Sequence, residues 1–147
     1  PFQLLDLVGP GVALHVSETL HANLGERYRI SPTMAAMVKQ GVRNFYVKND
    51  DGSFGANPAA LALIHKGDSP STAEQVRSRA LTALAVEARM MLDEGVVSTP
   101  AEIDLCMLMG AGWPMHLGGI LPYLDREGIS EAACGQRFHP KAVASLP

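Results

Sequence analysis

Apolar positions fall into short periodic runs along this chain, most opened by a cap residue or a proline and closed by glycine. Proline is tolerated at a first helical position, where its missing N–H would be unpaired anyway, and glycine accepts the left-handed turn that ends a helix. The pattern predicts a short helix over 2–8 closed by Gly9. It predicts an amphipathic helix over 12–24 with Val12, Val16, Thr19, Leu20 and Asn23 on one face, and a third helix opened by Ser31-Pro32 and running to Gly41. Residues 42–47 are β-prone and Asn49-Asp50-Asp51-Gly52 reads as a turn, so a loop or small hairpin is expected there. Asn57-Pro58 opens a helix expected to reach Gly67.

The clearest element is a helix over 72–94, with Ser71 and Glu74 as its capping box. Val76, Ala80, Leu81, Leu84, Ala85, Ala88, Met91 and Leu92 give it one broad apolar face. Thr99-Pro100-Ala101-Glu102 is a second capping box leading into a helix to Met109, and Gly110-Ala111-Gly112-Trp113-Pro114 is a turn. Helical pieces are expected over 118–127, bent near Pro122, and over 129–134 and 140–145. The fold class is therefore all-α, a bundle of about eight helices with short connections. Ser69-Pro70-Ser71 is the best internal boundary.

Composition narrows the function classes more than it names one. The 147 residues are 47% apolar, enough for a core, and no apolar run approaches a membrane span. Net charge is −3 with both signs interspersed, so neither a nucleic acid nor an anionic membrane is an expected partner. Two isolated cysteines, Cys106 and Cys134, fit a reduced cytoplasmic protein. Pro1 cannot be a natural initiator, so the chain is expected to be processed, tagged or cut from something longer.

Candidate chemistry is sparse. His15, His21, His65, His116 and His139 are scattered and read as surface or capping residues, without metal-ligand spacing. Ser17 and His21 could touch on one helix face, but a triad built so locally would have no oxyanion donors. Cys106, between Leu105 and Met107, reads as a small core residue, and the methionines as core filler. Asp6 and Asp125 stand near helix C-ends, where the dipole disfavours negative charge, so each is read as an anchor for the neighbouring turn rather than a substrate contact. Trp113 either lines a cleft or packs between helices.

Leu5-Asp6-x-x-Gly9 recurs as Leu124-Asp125-x-x-Gly128, with Phe2 and Leu4 matching Leu121 and Tyr123. The second copy follows a long helix, a capped short helix and a Gly-rich turn. The first copy stands at the start of the chain, so the chain is expected to begin partway through its first unit.

These residues make a family visible. Pro1-Phe2-Gln3-Leu4-Leu5-Asp6-Leu7-Val8-Gly9 resembles the GPFELLDxVG motif in the C-terminal domain of 3-hydroxyacyl-CoA dehydrogenases. Thr99 to Asp104 followed by Gly110-Ala111-Gly112-Trp113-Pro114 resembles the family's TPxEID…GxGxP stretch. Gly118-Gly119, Tyr123-Leu124-Asp125 and Gly128 resemble GGxxxYLDxxG, and Arg137-Phe138 resembles the closing RF.P element. Asn44-Phe45-Tyr46 takes the place of a GKGFY loop whose glycines are missing here. Two tandem copies look most like the alpha subunit of the bacterial multifunctional fatty-acid-oxidation complex.

The resemblance implies a bundle like the 6-phosphogluconate dehydrogenase C-terminal domain, in two tandem repeats with the first truncated. Residues 1–68 would be the remainder of the first repeat plus a loop and 69–147 the second, together one compact C-terminal domain. It implies a substrate-covering and assembly role in an NAD-dependent L-3-hydroxyacyl-CoA dehydrogenase of fatty-acid β-oxidation. The family's histidine base, its carboxylate partner and the NAD site lie in a Rossmann domain that no motif here matches, so no catalytic residue, cofactor ligand or metal ligand is carried over. Phe2, Leu5, Asp6, Gly9, Gly112, Trp113, Pro114, Gly118, Gly119, Tyr123, Asp125 and Gly128 are carried over as structural or cleft-lining residues. Implied partners are the Rossmann domain of a parent chain, an acyl-CoA substrate and a thiolase subunit, and bared apolar faces at Phe2, Leu4, Leu5 and Val8 should make this chain self-associate or rearrange to cover them. The alternative is a free-standing helical interaction module without catalysis.

Overall fold

A computed structural model describes residues 2–64, 67 and 69–144, in two compact units, Pro1–Pro70 and Ser71–Pro147. The first unit holds α1 (Phe2–Val8), α2 (Pro10–Leu24), a 3-10 turn (Gly25–Arg27), α3 (Pro32–Lys39), β1 (Tyr46–Lys48), β2 (Phe54–Ala56) and α4 (Pro58–Leu61). The second holds α5 (Ala73–Asp93), α6 (Pro100–Met109), a 3-10 turn (Met115–Leu117), α7 (Ile120–Arg126), α8 (Ile129–Cys134) and α9 (Lys141–Ala144). The fold is all-α, and among the described residues the one sheet is the β1–β2 hairpin, with Val47 opposite Gly55. No helix among the described residues is long and apolar enough to cross a membrane.

Local chemistry explains the boundaries. Gly9 has a φ of 92° and separates α1 from α2, which starts on Pro10. The Ser31 hydroxyl accepts from the Met34 amide and caps α3, and the Asn57 side-chain Oδ1 accepts from the Ala59 amide and caps α4. The cap of α5 lies one residue later than Ser71/Glu74: the Thr72 hydroxyl accepts from the Gln75 amide, and the Gln75 side chain accepts from the Thr72 amide. A glutamine carbonyl serves as well as a carboxylate in that role, and Glu74 is left to sit 3.8 Å from Arg77. In α6 the Glu102 carboxylate accepts from the Ser98 and Thr99 amides.

Several expectations need correction. The helix opened by Asn57-Pro58 lasts one turn instead of reaching Gly67, because the Leu63 and Ile64 amides switch to carbonyls three residues back; His65 lies outside the described residues. Helix α7 begins at Ile120, after Gly118 closes the 3-10 turn with a φ of 76°. Pro122 lies in its first turn, where its absent N–H leaves no bond unmade. In α2 the face built on Val12, Val16, Thr19 and Asn23 is exposed, and Pro10, Ala13, Leu14, Ser17 and Leu20 turn inward. Helix α2 packs against α3, and the Ser17 hydroxyl donates to the Ala13 carbonyl of its own helix.

The second unit has the better core. Leu81, Ala85 and Ala88 of α5, Ile103 of α6, Ile120, Leu121 and Leu124 of α7, and Phe138 pack together. The broad α5 face narrows accordingly: Val76, Ala80 and Leu84 are exposed. Cys106 is also exposed rather than core, because α6 turns Ile103, Asp104 and Met107 inward and leaves Leu105, Cys106 and Met109 on the opposite side. Met37 is buried in the first unit as core filler should be, whereas Met109 and Met115 are exposed.

Candidate functional site

The repeated Leu-Asp-x-x-Gly motif folds twice into the same device. In the second unit the Phe138 amide donates to Asp125 Oδ1 at 3.0 Å and the His139 amide to Oδ2 at 2.9 Å. In the first unit the Phe45 amide donates to Asp6 Oδ1 at 2.6 Å and the Tyr46 amide to Oδ2 at 2.9 Å. Each carboxylate thus clasps two successive backbone amides of a later segment. Those charge-assisted bonds offset the unfavourable place of an acid near a helix C-end. The second clasp is reinforced. Arg137 donates to the Asp125 carbonyl at 3.1 Å, and Arg89 donates to the Arg137 carbonyl and lies 4.6 Å over the Phe138 ring.

A further carboxylate holds the other end of α7. The helix is preceded by Gly119, which has no side chain to cap it. Asp104 reaches in from α6, and its Oδ1 accepts from the Leu121 amide at 2.8 Å. Its Oδ2 lies 2.8 Å from His139 Nε2, with both side chains 12% exposed. A Cβ on Gly119 would stand 2.4 Å from the Asp104 carboxyl carbon, so only glycine leaves room for this carboxylate. Carboxylate and imidazole at hydrogen-bond distance are the base-and-orienter arrangement of acid–base catalysis. Here one carboxylate oxygen is committed to a helix amide and the ring pins the segment after α8 against α6, so the pair positions structure.

Sequence reasoning singles out neither Asp104 nor His139 as a site residue, and His139 is not the surface or capping histidine expected. The available signal is Asp104 itself, an acid on the same inward face as Ile103 and Met107, since a buried carboxylate requires a partner. Trp113 packs edge-on to Tyr123, with ring centroids 5.3 Å apart, and contacts the second core. Tyr123 accepts a hydrogen bond from Arg77, which lies 3.5 Å from Glu127. The Tyr123 phenol beside it raises the Arg77 pKa, with Glu127 and Glu74 adding to the effect. Gly112 and Gly128 both take positive φ values near 70°, as turns about them require.

The first unit carries an open cleft of about 560 Å³ where α1 meets α2, walled by Asp6, Leu7, Val8, Gly9 and Val12 on one side and Val38, Val42, Arg43 and Asn44 on the other. Phe2 stacks obliquely on Phe45 at 4.9 Å, and Leu5 is half-buried. Ser17 and His21 form no pair: the hydroxyl is held by Ala13, and His21 Nδ1 lies 2.9 Å from the Tyr28 carbonyl. No group of three His, Cys, Asp or Glu among the described residues could hold a metal ion.

No family model matches the chain. Among curated proteins, one is 27% identical to it over an alignment of 161 residues that takes in 97% of this chain. That relative is the fatty acid oxidation complex subunit alpha of Shewanella amazonensis. The likeness expected from the ordered motifs is borne out. The chain spans about 23% of the alpha subunit's length, so it corresponds to one part of that larger protein. The motifs that suggest the alpha subunit lie at the structural joints described above. Asp6 and Gly9 are the first clasp and its turn, Asp125 and Gly128 the second, and Gly119 makes room for Asp104.

Proposed function

We propose that this chain is the substrate-covering and assembly region of an NAD-dependent L-3-hydroxyacyl-CoA dehydrogenase acting in fatty-acid β-oxidation. The observation that carries this reading is the likeness, along 97% of the chain, to a fatty acid oxidation complex alpha subunit. In that reaction a hydride passes from C3 of the hydroxyacyl group to the nicotinamide while a base takes the hydroxyl proton. Under this reading the base and the NAD site belong to a Rossmann domain outside these residues. The clasped helices supply rigid walls, and the acyl-CoA is covered rather than transformed by them. A thiolase subunit is a further partner on the same reading. The free cysteines, Cys106 and Cys134, suit a reducing cytoplasmic setting.

The test is NADH formation from L-3-hydroxybutyryl-CoA and NAD, measured with the 147-residue chain and with the polypeptide extended through the coding sequence upstream of Pro1. The extended protein should turn over and the chain alone should not. Turnover by the chain alone would refute the division of labour. An upstream sequence without a dinucleotide-binding region would favour a free-standing interaction module.

A further inference from the structure

The turn Asn49-Asp50-Asp51-Gly52 takes no part in either clasp, yet it joins two groups that can react with each other. Asp51–Gly52 is the single Asp–Gly or Asn–Gly step in the sequence. We propose that Asp51 is a site of spontaneous covalent modification, isomerising through a cyclic imide to isoaspartate, and that Ser53 restrains it while the hairpin is folded. The site stands apart from the proposed enzymatic role and does not depend on it.

The chemistry needs a carboxyl carbon, the amide nitrogen of the next residue and room between them. A side chain on that next residue would shield its nitrogen. Gly52 has none, is exposed, and takes a φ of 85°. In the reaction the Gly52 nitrogen bonds to Asp51 Cγ, and the carboxyl hydroxyl leaves as water with the amide proton. Water then adds to either carbonyl of the five-membered ring. Opening at Cγ restores aspartate. Opening at the main-chain carbonyl leaves the chain running through Cγ, one methylene longer, with a free α-carboxylate. No atom changes oxidation state, so water is the only co-reactant.

The folded turn opposes each part of that step. The leaving hydroxyl must be protonated, whereas Asp51 Oδ1 accepts from the Ser53 hydroxyl at 2.6 Å and from the Ser53 amide at 2.9 Å. Both bonds favour the carboxylate, the hydroxyl's the more, and they hold the Asp51 carboxyl below the ordinary aspartate range. Asn49 Nδ2 donates to the Ser53 hydroxyl oxygen at 2.9 Å, which leaves the hydroxyl proton for Asp51. The attacking nitrogen is engaged as well, because the Gly52 amide donates to the Asn49 carbonyl at 2.9 Å. Unfolding removes these bonds together. The added methylene of isoaspartate falls inside the turn that sets the Lys48–Phe54 register, so the modification marks the hairpin that formed it.

The test is incubation of the 147-residue protein for weeks at physiological temperature, native and in guanidinium chloride. Peptide mapping of residues 49–53 separates isoaspartate from aspartate at equal mass. Isoaspartate at position 51 should accumulate about tenfold faster in the unfolded chain, where the three restraining bonds are absent. In the native protein Ser53→Ala should speed it about threefold, as loss of one hydrogen bond to the carboxylate requires, and Ser53→Thr, which keeps the hydroxyl, should not. Ser53→Ala should change nothing in guanidinium chloride. Asp51→Glu should abolish the isomer in both states, because its ring would have to be six-membered. An unfolded chain that forms no isoaspartate at position 51 would overturn the site. Equal rates in the native and unfolded protein, or a native Ser53→Ala rate no faster than that of the unaltered chain, would overturn the restraint.

Discussion

Helices α1 and α7 share a motif and a clasp, yet α1 buries no residue while α7 buries Ile120, Leu121, Pro122, Leu124 and Asp125. The polar half of the device is complete in both units, whereas the apolar half is complete in one. Two amides donated to one carboxylate define where a segment returns to its helix. Sealing that helix requires further helices, which α5 and α6 provide in the second unit. The comparison separates what fixes a chain's path from what makes the path stable.

The largest expected effect lies at the clasps. Asp125→Ala would strand two amides beside a side chain only 1% exposed, and should destabilise the second unit by about 3–5 kcal/mol. Asp6→Ala removes bonds of the same kind from a half-buried site and should cost about 1–2 kcal/mol. Urea unfolding followed by circular dichroism compares them, and equal losses would break the contrast. Next, Leu121→Ala should cost about 3 kcal/mol by leaving a cavity, against less than about 1 for Phe2→Ala in the same assay. Third, Gly119→Ala should cost about 1–3 kcal/mol by forcing the Asp104 carboxylate aside. Combined with Asp104→Ala the loss should be less than additive, since the second change removes what the new methyl strikes; strict additivity would rule out the contact. The smallest effect concerns the hairpin. The Ser53 hydroxyl and then its amide, donating to Asp51, hold that carboxyl below the ordinary aspartate range. The contribution is present above the unfolded pKa and is lost as pH falls through the lower folded value. The Ser53 amide resonance should report this on acid titration, and its shift should vanish in Asp51→Ala.

What the sequence made legible was mostly punctuation. Helices over 2–8 and 129–134 match their expected bounds because Gly9, Gly128 and Gly135 take positive φ angles that end or separate helices. Helix α5 lies within one residue of its expected span for the same reason, with Gly95 at its end. Faces are less legible. Val12 and Val16 look like a buried stripe, but the inward side of α2 is built from Ala13, Leu14, Leu20 and a serine whose hydroxyl is satisfied locally. Strand β2, Phe54-Gly55-Ala56, has no alternation to betray it and is fixed only by its pairing with β1. Asp6 and Asp125 stand out as acids at the wrong end of a helix, but each holds two amides of a distant later segment rather than the neighbouring turn. Asp104 and His139 are 35 positions apart, and no local pattern announces a pair that exists only once α6 and the segment after α8 meet. The cleft is likewise made by residues 6–12 and 38–44, which only the folded chain brings together.

Each clasp also sets how freely the intervening polypeptide can vary. Asp125 closes a span of 13 residues and Asp6 one of 39, with the same two bonds at the seam. Closing a threefold longer loop costs only about 1 kcal/mol more, because closure entropy grows with the logarithm of length. A longer α2, an extra helix and all that connects them could therefore be accommodated between fixed ends without redesigning the joint. This architecture lets new surface be added by lengthening the interval and leaving its endpoints alone.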